Sequence, residues 1–203
     1  IDSDYCAALR NTIKAHIAQA LDAAFQETFP EADAHVSLND IYAPQPGDIT
    51  SPAKQATHTE RRFIDAIRDG LWQSMERFDN LVLMGQDIGA YGGVFKITEG
   101  FVDTFGKARV RNTPLCESAV VGAALGLSIN GMKAMVEMQF ADFVTEGFNQ
   151  IVNNLAKTHW RWGQCADVVI RMPTGAGTAA GPFHSQSNEA WFFHTPGLKI
   201  VYP

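Results

Sequence analysis

Asn112-Thr-Pro-Leu-Cys-Glu117 leads without interruption into Ser118 to Asn130, a stretch rich in small residues that include Gly122, Ala123, Ala124 and Gly126. The first part has the character of a strand end and the second that of a helix, with Glu117 at the join. A helix of small residues lets a neighbouring group come close to its backbone. A strand-to-helix turn is also where open α/β sheets hold their ligands. Glu117 therefore has two readings. Acidic residues are favoured at helix starts by the macrodipole and the unpaired amides there, which makes a cap the commoner role. The flanks, Leu115-Cys116 and Ala119-Val120-Val121, predict instead that this helix end is buried. Burial favours the neutral acid and the dipole favours the anion. A carboxyl held between the two can exchange a proton with a ligand.

Outward from this stretch, strand-like and helix-like patterns alternate. Leu81-Val-Leu-Met84, Ala134 to Phe140, Asp167 to Met172 and Leu198 to Tyr202 are short apolar runs that predict strands. Phe63, Ile67, Leu71, Met75 and Phe78 mark the core face of a helix, and Thr57 and Glu60 before it have capping-box spacing. Phe140, Val144, Phe148, Ile151 and Leu155 predict another helix, and Glu189 to His194 a short one. Such alternation implies an α/β fold, doubly wound, with a mainly parallel sheet and helices on both faces. Ahead of it, Leu9, Ile13, Ile17, Leu21 and Phe25 recur every four residues and predict an N-terminal helical extension that ends before Pro30. Three prolines and a glycine between Pro44 and Pro52 read as a linker. The expected organisation is a helical segment over 1–43, a linker over 44–56 and a domain over 57–203.

Bulk properties exclude several function classes. The chain has 203 residues, 46% of them apolar, a net charge of −6 and a pI near 5.4. An acidic chain without blocks of like charge is not expected to partner nucleic acid or an anionic membrane. No apolar run is long enough to span a bilayer. Three widely spaced cysteines, Cys6, Cys116 and Cys165, form neither a disulfide framework nor a zinc site, which suits a reducing cytoplasm. The opening at Ile1 and the close at Pro203, directly after an apolar run, read as a fragment of a longer polypeptide.

Further candidates lie in loops. Gly175 to Ser187 follows a predicted strand and would display His184 at the carboxyl end of the sheet, although a lone histidine in a loop is usually just solvated. No Gly-Lys-Ser/Thr follows, so this is not a Walker phosphate cradle, and Gly89 to Gly93 lacks the dinucleotide fingerprint and reads as a turn. Phe140 is a core residue, whereas Phe143, at a strand end, can also stack on a planar ligand. Trp160-Arg-Trp162 reads as helix-end packing or a partner surface, and His194 as structural.

In order along the chain come Met84-Gly-Gln-Asp-Ile88, Tyr91 to Gly100, Phe105-Gly-Lys107, Thr113 to Glu117, Gln139-Phe-Ala-Asp142, Phe148 to Asn153, His184-Ser-Gln-Ser187 and His194 to Leu198. This ordered set resembles the beta subunit of the thiamine-diphosphate-dependent decarboxylase component of 2-oxo acid dehydrogenase complexes. Residues 1–43, with Asp40-Ile-Tyr42 at their end, look like the closing helix and tail of the alpha subunit, as in a fused chain. The resemblance implies an enzyme that decarboxylates a 2-oxo acid and passes the acyl unit to a lipoyl group on an acyltransferase component. It implies a cofactor shared between two domains, with magnesium and diphosphate held by an alpha-type domain and the aminopyrimidine by this one. No metal ligand is expected in this chain. Glu117 matches the residue that hydrogen-bonds the pyrimidine ring nitrogen, and Phe143 the aromatic that stacks on that ring. Leu115 and Gln139 match neighbouring cofactor contacts, and His184 the histidine of acyl transfer. An oligomer is implied because such sites lie between subunits. Two departures stand out: Gln86 occupies a position where many members carry glutamate, and the Gly-Asp-Gly…Asn magnesium–diphosphate motif is absent. Residues 1–203 alone are therefore expected to hold the cofactor weakly or not at all. Transketolase and deoxyxylulose-phosphate synthase share a related domain but use other acceptors, and His184 to Ser187 with Phe140 to Asp142 favour the dehydrogenase group. A non-catalytic assembly module, docking through the Leu9–Phe25 stripe and Trp160–Trp162, is the rival of another class. A nicotinamide-dependent dehydrogenase lacks its glycine fingerprint.

Overall fold

In the computed structural model, which describes residues 2–44 and 59–203, four short strands lie side by side, all parallel. They are β1 (Leu81–Gly85), β2 (Val110–Asn112), β3 (Lys133–Glu137) and β4 (Val168–Arg171), in the order β2-β1-β3-β4. Leu83 pairs with Val110, Val82 with Ala134, and Glu137 with Arg171. Parallel strands need crossovers, and helices supply them. β1 and β2 are joined through α4 (Phe101–Phe105), and β2 returns past β1 to β3 through α5 (Glu117–Ile129). The reversal of direction lies between β1 and β3. In open α/β sheets the crevice for a ligand forms outside the carboxyl ends of the strands at such a point.

Both faces of the two central strands, β1 and β3, are covered, as their apolar runs require, whereas Val169 of the edge strand β4 is exposed. Successive side chains of a strand point to opposite faces. Val82, Met84, Ala134 and Val136 accordingly pack against Val120, Val121 and Ala124 of α5 and Val144 of α6 (Val144–Asn149). Leu81, Leu83 and Met135 pack on the other face with Met75 of α3 (Phe63–Arg77) and Phe101 of α4. β1 is buried along its whole length.

Several expectations are corrected. Leu198 to Tyr202 forms no strand; Leu198 and Ile200 pack against the core from an irregular segment, while Val201 is exposed. Alternating burial without ladder bonds gives the same sequence pattern as a strand. The helix expected from Phe140 to Leu155 is split into a 3₁₀ turn (Ala141–Phe143), α6 and a π-helical turn (Gln150–Leu155). α3 starts at Phe63, with Glu60 outside it and no side-chain cap; Thr57 falls outside the described residues. Its first turn is held by Asp65, which accepts two 2.8 Å bonds from Arg62. Those bonds keep the Asp65 carboxyl below its usual range and raise the Arg62 guanidinium. Phe63, expected in the core, is exposed.

The chain divides into two compact units, residues 1–38 and 39–203. In the first, α1 (Ser3–Gln26) is a regular helix with Asp2 as its N-cap, and none of its residues is buried. The linker expected over 44–56 lies outside the described residues except for Pro44. After α6, the second unit contains α7 (Thr158–Trp162) and α8 (Ala190–Phe193). Among the described residues no helix is long and apolar enough to cross a membrane.

Candidate active site

Side chains bridge the carboxyl ends of β1 and β3 at the switch point. Gln139 Nε2 donates to Asp87 Oδ2 at 3.0 Å, each residue standing two positions beyond its strand. Gln86, next to Asp87, donates Nε2 to Glu117 Oε1 at 2.9 Å. Two consecutive residues thus tie the end of β1 to β3 on one side and to the first residue of α5 on the other. Asp87 holds a positive φ of 58°, which an aspartate tolerates better than most side chains. The loop behind it closes on itself. Gly93 N donates to Asp87 O at 2.8 Å, and Thr98 Oγ1 to Ile88 O at 2.8 Å, with Thr98 and Ile88 fully buried.

Glu117 is half-buried at the start of α5. The capping residue, Cys116, makes no side-chain cap, and the Glu117 carboxylate bonds across to Gln86. The predicted burial of this helix end is corrected: Leu115 is 80% exposed, and Cys116 is half-buried. The ladder explains the difference. Thr113 N still reaches Gly85 O at 3.0 Å, but Pro114 has no N–H to continue, so Pro114 and Leu115 leave the sheet for the surface. Beside Glu117 runs a shallow open groove lined by Leu115, Cys116, Gly122, Glu146 and Gln150. The close approach expected along α5 is supplied from the facing helix. A Cβ on Gly147 of α6 would lie 3.3 Å from Val121 Cγ2 and 3.7 Å from Glu117 O.

The 3₁₀ turn places the remaining candidates together. The rings of Phe140, Phe143 and His184 meet edge to face in all three pairs, with centroids 6.0, 5.0 and 5.4 Å apart. The His184 loop is tied to the same turn: Gln186 N donates to Asp142 Oδ1 at 3.3 Å, and buried Asn188 donates Nδ2 to Ala141 O at 2.9 Å. His184 is half-buried and held, unlike an ordinary solvated loop histidine. A continuous path of contacts now joins Glu117, Gln86, Asp87, Gln139, Phe140, Phe143 and His184. Leu115 stands apart from it, exposed on the groove side. His194, read as structural, is exposed, as are Trp160 and Trp162, where Arg161 lies 5.0 Å from the Trp162 ring.

Sequence reasoning missed Asp87 and the buried pair Glu137–Arg171, in which Arg171 Nη2 approaches Glu137 Oε2 to 2.7 Å. A signal existed: Glu137 is the one charge inside the apolar run Ala134 to Phe140. Among the described residues no cluster of three or more His, Cys, Asp or Glu is arranged to hold a metal ion.

The site chemistry suits an aminopyrimidine. A half-buried carboxylate oriented by an amide can meet a ring nitrogen, and aromatic rings stand beyond it for a planar ring to lie against.

Comparison with known proteins gives a consistent result. The transketolase pyrimidine binding domain family matches residues 60–203. The chain is 45% identical over 144 residues to the mitochondrial 2-oxoisovalerate dehydrogenase subunit beta of Dictyostelium discoideum, covering 70% of this chain and 39% of that one. It is 44% identical over 145 residues to the 2-oxoisovalerate dehydrogenase subunit beta of Bacillus subtilis, covering 70% and 44%. The pyruvate dehydrogenase E1 component subunit beta of Leifsonia xyli is 42% identical over 143 residues, covering 70% and 42%. The chain therefore spans about two fifths of the length of these curated relatives.

Proposed function

The chain belongs to the transketolase pyrimidine binding domain family, and from that premise we propose that it is the pyrimidine-binding part of a thiamine-diphosphate-dependent 2-oxo acid dehydrogenase. The observation that carries this reading is the path from Glu117 through Gln86, Asp87 and Gln139 to Phe143 and His184. It gathers at one sheet end the carboxylate, amide, aromatic ring and imidazole that the chemistry needs. Thiamine diphosphate, when bound, supplies a carbon nucleophile that also stores the electron pair released on decarboxylation. Glu117 holds a proton at the pyrimidine ring nitrogen, and the amide of Gln86 fixes the direction of its carboxyl group. A neutral amide at position 86 orients without offering a second carboxylate for proton relay. Phe143 and Leu115 contribute apolar contact and Gln139 a polar one. In this reading His184 gives or takes a proton during transfer of the acyl group to a lipoyl arm.

The magnesium and diphosphate fall to an alpha-type domain, the acyl group to a lipoylated acyltransferase, and the assembly is an oligomer that completes the site between subunits. Residues 1–43 would be the closing helix of that alpha-type region, and 44–56 the joint to the domain over 57–203. The three free cysteines suit a reducing compartment such as the cytoplasm. Glu117→Gln in the full-length enzyme tests the reading. Decarboxylation of 2-oxo acids is expected to fall by about 10²–10⁴, as for loss of a general acid–base group. Undiminished turnover would overturn it.

A further inference from the structure

Glu137 is the last residue of β3, its side chain is only 3% exposed, and none of the steps above uses it. It is neither a cap nor a surface charge. Its register partner Arg171 ends β4, with Nη2 2.7 Å from Oε2 and Nε donating to the same oxygen at 3.3 Å. Arg171 is itself mostly buried, with 19% of its side chain exposed. A carboxylate taken this far out of water is tolerated only when paired, and the pairing fixes its rotamer.

Beside the fixed rotamer lies the loop that carries Gln86 and Asp87, with no room for a side chain between them. A Cβ on Gly93 would stand 2.9 Å from Glu137 Oε1, and one on Gly85 would stand 2.6 Å from Glu137 O. Glu137 thus lies directly beneath both ends of the segment from Gly85 to Gly93. At the far end Gly93 has a φ of +79° and returns its N–H to Asp87 O. The near end runs straight into Gln86, whose amide holds Glu117. One route from the buried pair to Glu117 therefore runs through this loop, from Glu137 to Gly85 and Gly93 and from Gln86 to the Glu117 carboxylate.

We propose that the Glu137–Arg171 pair is a positioning element for the decarboxylation, bracing the Gly85–Gly93 loop so that Gln86 holds Glu117 in line with the cofactor ring. The proposal rests on the functional reading above and adds two residues to it. Oε2 is committed to Arg171 while Oε1 supports the loop, so replacing the carboxylate by an amide weakens the pair and loosens the brace. Displacements of about 1 Å at a reacting group can cost about a hundredfold in rate.

The test is made on the full-length enzyme. Glu137→Gln is expected to lower kcat about tenfold, leave KM for the 2-oxo acid within about twofold, and raise amide hydrogen exchange across residues 86–98. In a Gln86→Ala background the same substitution should lower kcat by no more than about threefold, because the loop's hold on the Glu117 carboxylate is already cut. Arg171→Lys keeps the charge and serves where Glu137→Gln fails to fold; it should show the same exchange pattern and a smaller loss of kcat. Unchanged exchange over 86–98, or an equal loss of kcat with and without Gln86, would overturn the proposal. The exchange readout does not depend on turnover. Loosening of this loop together with full activity of Glu117→Gln would remove the functional reading while leaving the mechanical link intact.

Discussion

Helices α1 and α5 invert what their sequences advertise. α1 repeats Leu9, Ile13, Ile17, Leu21 and Phe25 at four-residue intervals, yet each of these side chains is between 47% and 84% exposed. Beyond its first residue, Glu117, α5 has no polar face to speak of, only small and apolar residues, and it buries Val120, Val121, Ala124 and Ser128. A periodic stripe records that a helix has a partner somewhere. Burial records which surface is present to meet it. α5 lies across β1 and β3 and faces α6, so Val120, Val121 and Ala124 are enclosed by elements of the same unit. The described residues of the unit 1–38 form no strand, and among them the stripe stays exposed.

The contrast can be broken experimentally. Val121→Ala removes two methyl groups from a fully buried site, and a loss of about 2–3 kcal/mol is expected. That corresponds to a fall of roughly 4–12 °C in a thermal melt. A change under a degree would mean that α5 is not the clamp the structure indicates. Gly147→Ala comes next, with a net loss of about 1 kcal/mol, since overpacking against Val121 outweighs the gain in helix propensity. The sharper form is the double variant. With Val121→Ala present the new methyl has room, and Gly147→Ala should become neutral or stabilising. Ile17→Ala in α1 closes the series, with an expected change within about 0.5 kcal/mol in chemical denaturation. A loss above about 2 kcal/mol would show that the stripe is covered in solution.

How much could be read beforehand varied from residue to residue, and the physics explains why. Leu81–Met84 was legible as a parallel strand because burial on both faces leaves a run of apolar residues that little else produces; Asp167–Met172 carried a similar run although Val169, on one face, is exposed. Leu198–Tyr202 carried the same pattern and formed no ladder, because alternate packing needs no hydrogen-bonded neighbour. At the candidate site, residue type and place in the chain singled out Glu117, Phe143 and His184, which the structure joins through one path of contacts. The exposure of Leu115 could not, since the pattern does not state where Pro114 ends the ladder. Asp87 and Glu137 stayed hidden for the same reason: their roles depend on partners 52 and 34 residues away.

By itself the sequence determined an α/β chain with its apolar runs, its helix starts, its site residue types and its acidic balance, because these follow from local periodicity and side-chain chemistry. Tertiary structure alone decided the strand order β2-β1-β3-β4, and with it the switch point between β1 and β3, beside which Gln86 meets Glu117 and Asp87 meets Gln139. Contacts of that kind join residues far apart in the chain, and only packing of the whole sheet brings them within hydrogen-bond range.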